Sequence, residues 1–289
     1  MKTPSDANRI LEAVQTQYAA VARSGLTNES TAISAIAEAF GYTTEDLASL
    51  PPQANMGLSC GNPVAVAALR TGETAVDLGC GGGLDVFLAA KQVGPTGLAI
   101  GIDMTPDMLS RARSGAAQMG LTNVEFHLAE IDQLPLKDNS VDCVLSNCVI
   151  NLVPDKPKVF REILRILKPG GRVAISDIAL HQTLPPEIEK SIQAYVGCIS
   201  GALLITEYQQ LLKEAGFEAV VVSETGADLN VYAEAGSFGC CTSTEVSCCS
   251  TPEPNNSLPL LHDGLTEVLR QFDANKYAAS VRVHAIKAS

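Results

Sequence analysis

The chain has 289 residues, 46% of them hydrophobic, which is enough for a full α/β core. Its net charge of −12 argues against a nucleic-acid backbone or an anionic membrane as partner. No apolar run of roughly 18 residues appears and no signal-peptide core opens the sequence, so a cytoplasmic chain that does not span a membrane is expected. The nine cysteines are odd in number and include no CxxC pair and no Cys/His zinc spacing. Reduced thiols are therefore expected rather than a disulfide framework or a zinc finger.

Residues 1–55 read as peripheral helices. Ile10–Ala22 and Ser30–Phe40 are amphipathic, the second capped by Asn28 or Ser30. Gly41–Leu50 suggests a short helix capped by Thr43 or Thr44, ended by Pro51-Pro52. Gly57, Gly61 and Pro63 mark an irregular loop that carries Cys60, and a helix starts at Val64.

Thr74–Ala90, TAVDLGCGGGLDVFLAA, is the centre of the chain. It reads as a buried strand, a glycine turn and a helix. The turn lets backbone approach a ligand closely, and the amides at the helix start can donate to it. Alone, this fits a plain strand-to-helix turn. Leu98–Met104 adds a second strand ending in Asp103, placed to bind the ribose hydroxyls of a nucleotide-like cofactor. Gly79-Cys80-Gly81-Gly82-Gly83 does not complete the dinucleotide pattern GxGxxG, because Leu84 stands where the last glycine belongs.

A helix over Met104–Gly120 follows, with Thr105 as cap and Pro106 at its first position. Val124–Glu130 is the third strand and Val141–Asn147 the fourth, with Cys143 buried as a small hydrophobe. The segment from Asn147 to Leu152 lies at the carboxyl end of a central strand, where open α/β sheets bind ligands. Pro157–Leu167 is a helix stopped by Lys168-Pro169-Gly170-Gly171, and Gly171–Ile178 is the fifth strand. Leu184–Ala215 is helical with a break at Tyr195–Ala202, where two glycines flank Cys198. Glu218–Thr225 is the sixth strand. Gly226–Ser257 reads as a loop carrying Cys240-Cys241 and Cys248-Cys249, Leu261–Phe272 as a helix, and Ser280–Ala288 as the closing strand. The alternation gives a doubly wound α/β sheet. Three regions are expected: a helical cap over 1–55, a cofactor-binding core over 56–225, and a C-terminal extension over 226–289.

The DxGxGxG of Asp77, Gly79, Gly81 and Gly83 resembles the first motif of S-adenosylmethionine-dependent methyltransferases. GLSCGNP at 57–63, DLGCGGGLDVFLAA at 77–90, SNCVINLVPDK at 146–156 and YVGCISGA at 195–202 are more specific, and are similar to arsenite methyltransferases. The resemblance is close over roughly residues 55–225. It implies the Rossmann-like class I methyltransferase fold, with N-terminal helices over the cofactor, an antiparallel last strand and an arsenic-binding segment at 180–215. It implies that Cys60, Cys148 and Cys198 hold trivalent arsenic, which is thiophilic and suits a pyramid of soft thiolates. By the same resemblance, Cys148 and Cys198 stay bound through later methylations while Cys60 supplies electrons by forming a disulfide. In this sequence no cysteine precedes Cys60, so its partner stays open: one of the ligand pair, or an external thiol. A thioredoxin or glutathione system would reset that bond.

For the cofactor, the resemblance assigns Asp77, Gly79 and Gly81 to the methionine end and Asp103 to the ribose. Met104, Glu130 and Ile131 fall to the adenine, and Asn147 to the sulfonium side. Arsenite and methylarsenite are the implied substrates, and a monomer is expected. The alternatives are a carbon- or oxygen-methyltransferase of a small organic substrate, which needs no converging cysteines, and a metalloid trap, which needs neither Asp103 nor the glycine turn. The cysteine pairs at 240–241 and 248–249 are either capture thiols or dispensable. Cys80 reads as filler inside the glycine turn.

Overall fold

The computed structural model describes residues 4–232, 266, 267, 269 and 272–289. The cysteine pairs at 240–241 and 248–249, and nearly all of the helix expected over Leu261–Phe272, lie outside the described residues. Seven strands form one sheet: β1 Thr74–Leu78, β2 Leu98–Asp103, β3 Val124–Leu128, β4 Val141–Asn147, β5 Leu167–Leu180, β6 Phe217–Glu224 and β7 Ala278–Lys287. Their order is β3-β2-β1-β4-β5-β7-β6. The first five are mutually parallel, and β7 runs antiparallel to both β5 and β6. The last strand is thus antiparallel, as expected, and it is inserted between two earlier strands rather than added at an edge.

Ten helices are described: α1 Pro4–Arg23, α2 Thr31–Ala39, α3 Thr44–Ala48, α4 Pro63–Val66, α5 Leu84–Val93, α6 Pro106–Met119, α7 Lys156–Ile166, α8 Pro186–Glu189, α9 Ile192–Val196 and α10 Ile205–Ala215. Thr43 caps α3 in a reciprocal box with Asp46, each side chain accepting from the other's amide at 3.0 Å. Thr105 stands at the start of α6 without a capping bond from its side chain; its amide donates to Asp103 Oδ1 instead.

Because side chains alternate across a strand, the sheet buries two different faces. Small residues (Ala75, Ala99, Cys143, Ala174) pack beneath Phe87 and Val86 of α5. On the other face Val76, Leu78, Val144 and Ile175 meet Phe160 and Ile163 of α7 and Tyr208 of α10. Parallel strands covered on both sides read as continuous apolar runs, which is why β1 and β4 were visible in sequence. β5 starts earlier than expected. The preceding helix ends at Ile166, within one residue of expectation, and Lys168-Pro169-Gly170-Gly171 forms an irregularity inside β5 where the register with β4 shifts.

A third cluster lies over the carboxyl ends of the strands. It joins α1, through Val14 and Val21, to Cys60, Cys148, Cys198, Tyr195 and Tyr232. Arg111 of α6 fastens α1 there. Its guanidinium donates to Ala22 O at 2.9 Å, Gln53 O at 2.7 Å and Leu26 O. Replacing Arg111 by Leu leaves those carbonyls without their donor. In R111L, amide hydrogen exchange in α1 should accelerate about tenfold while β1 and β4 stay protected. Unchanged protection of α1 would show that Arg111 does not hold it.

Candidate active site

A cavity of about 340 Å³ opens at the carboxyl ends of β1, β2 and β4. All eight residues expected to meet the cofactor line it: Asp77, Gly79, Gly81, Asp103, Met104, Glu130, Ile131 and Asn147. The roof is α1, whose Asn8, Leu11, Val14 and Tyr18 recur at helical spacing. Gly79 is left-handed at φ 68°, and a Cβ there would run into Val149, which lies against the turn.

Asp103 both shapes the cavity and faces it. Its Oδ2 accepts from Gly81 N at 2.9 Å and its Oδ1 from Thr105 N at 2.8 Å, so it fixes the glycine turn against β2. Burial raises its carboxyl above the ordinary range, and the two amides partly offset this. Asp77 and Asp85 are both buried beside the cavity. Asp85 Oδ1 accepts from Tyr42 Oη at 2.7 Å and its Oδ2 from Asn147 Nδ2 at 3.0 Å. Asp77 Oδ1 has no hydrogen-bond partner among the described residues, and burial followed by the charges of Asp85 and Asp103 holds its carboxyl well above the usual range. Asn147 does more than line the cavity. Its Nδ2 also donates to Gly61 O at 2.9 Å, and its Oδ1 accepts from Cys60 N at 3.0 Å.

The three expected arsenic ligands converge from three segments. Cys60 and Cys148 are joined by a disulfide, with Cα atoms 5.6 Å apart across a sequence separation of 88. Of the two partners left open for Cys60, this pairing is with one of the expected ligand pair. Cys198 is a buried thiol that donates to Cys148 O at 2.8 Å. Among the described residues, no group of three His, Cys, Asp or Glu side chains stands ready to hold a metal. The three sulfurs are therefore not a ligand set in this oxidised arrangement, because the bond consumes two of them. A second, small cavity of about 30 Å³ is lined by all three cysteines together with Tyr18 and Tyr232. Cys148 and Tyr18 line both cavities. Cys80 and Cys143 are buried free thiols away from this cluster, as expected of fillers; burial pushes Cys143 up to about 12.

Beneath Cys198 lies a polar network that sequence reasoning did not single out. Fully buried Asn151 donates through Nδ2 to Ile178 O at 2.7 Å, Asp177 Oδ1 at 2.8 Å and Cys198 O at 3.3 Å. Gly201 packs so tightly on Asn151 O that a Cβ there would collide with it. Tyr42, Asp85 and Tyr18 were also missed. Asp85 stood inside the glycine motif and was readable as a polar residue in a buried helix turn. Tyr18 and Tyr42 offered no local signal.

This strand order, with β7 inserted antiparallel and a cavity over β1, β2 and β4, defines the class I S-adenosylmethionine-dependent methyltransferase architecture. The family described as Methyltransferase domain matches residues 69–216. The arsenite methyltransferase of Halobacterium salinarum is 49% identical over 186 residues, covering 64% of this chain and 48% of that protein. That of Aquipseudomonas alcaligenes is 38% identical over 165 residues, covering 55% and 47%. The crystal structure of an arsenic(III) S-adenosylmethionine methyltransferase from Chlamydomonas reinhardtii matches with a TM-score of 0.56 at 28% identity, over 88% of this chain and 73% of that one. The chain spans about half the length of the curated relatives it matches. It belongs to the methyltransferase domain family and is homologous to arsenite methyltransferases.

Asp177 gives the network a pH dependence. Burial raises its carboxyl to about 7, partly offset by the Ile178 amide and the Lys156 charge. Between the ordinary carboxylate value and 7, the folded chain holds a proton that the unfolded chain has released. Stability therefore falls as pH rises through that window. Asp177→Asn removes this dependence. From about pH 4 to about pH 8, the wild type should lose on the order of 3 kcal/mol relative to D177N in urea denaturation. Parallel curves for the two proteins would show that Asp177 does not titrate there.

Proposed function

We propose that this protein methylates trivalent arsenic with S-adenosylmethionine, yielding methyl- and dimethylarsenicals in arsenic detoxification. The observation that carries this reading is the shared wall: Cys148 borders both the cofactor cavity and the pocket where Cys60 and Cys198 meet. A carbon- or oxygen-methyltransferase has no need of three cysteines at that wall. The homology to arsenite methyltransferases supports the same substrate.

The residues present fit the cofactor. Asp77 Oδ1, buried and without a partner among the described residues, is an acceptor for the α-ammonium group. Asp103, with each oxygen already fixed by one amide, keeps lone pairs for ribose hydroxyls. Met104, Ile131 and Met108 supply apolar surface for adenine beside Glu130. S-adenosylmethionine, when bound, supplies an electrophilic methyl on a sulfonium. The chain supplies position: Cys60, Cys148 and Cys198 in their reduced form hold arsenic with its lone pair toward the cofactor cavity.

Methyl transfer takes arsenic from the trivalent to the pentavalent level, so a further methylation needs two electrons. Cys60 and Cys148, whose protons left when arsenic bound, supply them by breaking their two As–S bonds and joining as a disulfide, which returns the methylated arsenic to the trivalent state on Cys198. An external dithiol system, thioredoxin or glutathione in class, then reduces that bond. Such reductants prevail in the cytosol, where we place the protein. Because Cys148 is both a ligand and the partner of Cys60, reduction has to precede arsenic binding.

The direct test incubates the reduced protein with arsenite, S-adenosylmethionine and a dithiol, separating products by chromatography with elemental mass detection. Methylated arsenic should appear only when cofactor and reductant are both present. Unchanged arsenite from a protein that still binds the cofactor would favour an organic substrate instead.

The cysteines separate by step. Cys148→Ser and Cys198→Ser should abolish methylation of both arsenite and methylarsenite. Cys60→Ser should lose the first methylation and keep the second, since methylarsenite needs one thiolate fewer. Full activity of C198S on arsenite would sink the three-thiolate site.

A further inference from the structure

Tyr18 of α1 stands where the two cavities meet, and nothing in the reaction above uses it. Its ring lines the cofactor cavity beside Val14 and also the cysteine pocket beside Cys198. The hydroxyl donates to Val196 O at 3.3 Å, which is long for an O–H···O bond. The same hydroxyl lies near the Cys198 sulfur, with which Tyr18 shares the wall of the small pocket. That sulfur has a second polar neighbour, Cys148 O, to which it donates its own proton at 2.8 Å.

The two neighbours differ in kind. Cys148 O only accepts, so it satisfies Cys198 only while the sulfur carries a proton. Once arsenic replaces that proton, the sulfur becomes a pure acceptor facing a carbonyl oxygen. The Tyr18 hydroxyl can donate to it in that state. The other polar groups facing Cys198 are engaged elsewhere. Tyr195 donates to Leu152 O at 3.3 Å and Tyr232 to Ser59 O. Lys156 donates to the carbonyls of Val153 at 3.0 Å and Asn151 at 3.3 Å. Asp177 accepts from Asn151 at 2.8 Å.

We propose that Tyr18 is a positioning residue, whose hydroxyl turns from Val196 O to the Cys198 sulfur when that sulfur binds arsenic and holds it against the cofactor cavity. This rests on Cys198 being an arsenic ligand, as proposed above. It gives α1 a second role: the helix that roofs the cofactor also carries the donor for the acceptor site. Arsenic binding and α1 docking are thereby linked.

The test compares wild type, Tyr18→Phe and Tyr18→Leu after reduction. Arsenite retained through gel filtration is counted by elemental mass detection, S-adenosylmethionine affinity is read by calorimetry, and kcat and KM are measured for arsenite. In Y18F, arsenite affinity should fall roughly tenfold, the scale of one hydrogen bond. KM for arsenite should rise accordingly, while cofactor affinity stays within about twofold because the ring remains. Y18L should lose cofactor affinity as well. Wild-type arsenite retention and kinetics in Y18F would overturn the proposal, as would a Y18F defect confined to the cofactor. If wild type itself retains no arsenite, the arsenic-ligand reading fails and this proposal falls with it; the wild-type arm thus separates the two failures.

Discussion

One side-chain amide ties the upper end of the sheet together. Asn147 ends β4, and its Nδ2 reaches Tyr42 Oη at 2.8 Å, Gly61 O at 2.9 Å and Asp85 Oδ2 at 3.0 Å, while its Oδ1 receives the Cys60 amide. Four stretches that are far apart in sequence meet at this group: the entry to α3, the Cys60 loop, the first turn of α5 and the end of β4. Two hydrogens serve three acceptors, so the amide is shared rather than idle. Removing it would leave a buried carboxylate short of a donor and release the Cys60 loop together. The cofactor cavity and the cysteine pocket are coupled through this residue before any ligand binds.

The arrangement carries an electrostatic cost. Asp77, Asp85, Asp103 and Asp177 are all buried, at 8% exposure or less, at the upper end of the sheet or in the first turn after it. Each has its carboxyl raised, with burial the largest cause. A fold selected for stability alone would place apolar residues there. Three of the four line one cavity with few compensating cations, which suits a ligand bearing positive charge. An ammonium and a sulfonium supply it. The acids at the cavity therefore trade stability of the free protein for affinity toward a cationic cofactor.

What was legible in the sequence divides by the range of the interactions involved. β1, β4 and the glycine turn declare themselves locally, because a strand buried on both faces needs an unbroken apolar run. The break around Cys198 was also local, marked by Gly197 and Gly201, and the chain does turn there, with Cys198 at φ 64°. The insertion of β7 was not legible. Its alternation identifies a strand, but its neighbours are set by pairing with β5 and β6. Cys60 O accepting from Ser280 Oγ at 2.6 Å shows how remote those determinants are. Tyr18 and Tyr42 hid for the same reason. Each sits at an ordinary amphipathic or loop position, and its chemistry comes from partners more than a hundred residues away, Val196 for Tyr18 and Asn147 for Tyr42.

The disulfide is held in a frame that does not depend on it. Cys60 is fixed by its amide on Asn147 and its carbonyl on Ser280, and the preceding carbonyl of Ser59 accepts from Tyr232. Cys148, left-handed at φ 58°, is fixed by its amide on Ser176 O at 2.9 Å. These are backbone anchors, and none engages a sulfur. Opening the bond therefore frees two thiols without freeing the loops that carry them. Cys198 is likewise held through its carbonyl, by Asn151. A site built this way can pass between a disulfide and a set of three thiols with small motions of side chains. That is what the proposed reaction demands of it, since the same two cysteines must bind the acceptor in one step and give up electrons in the next.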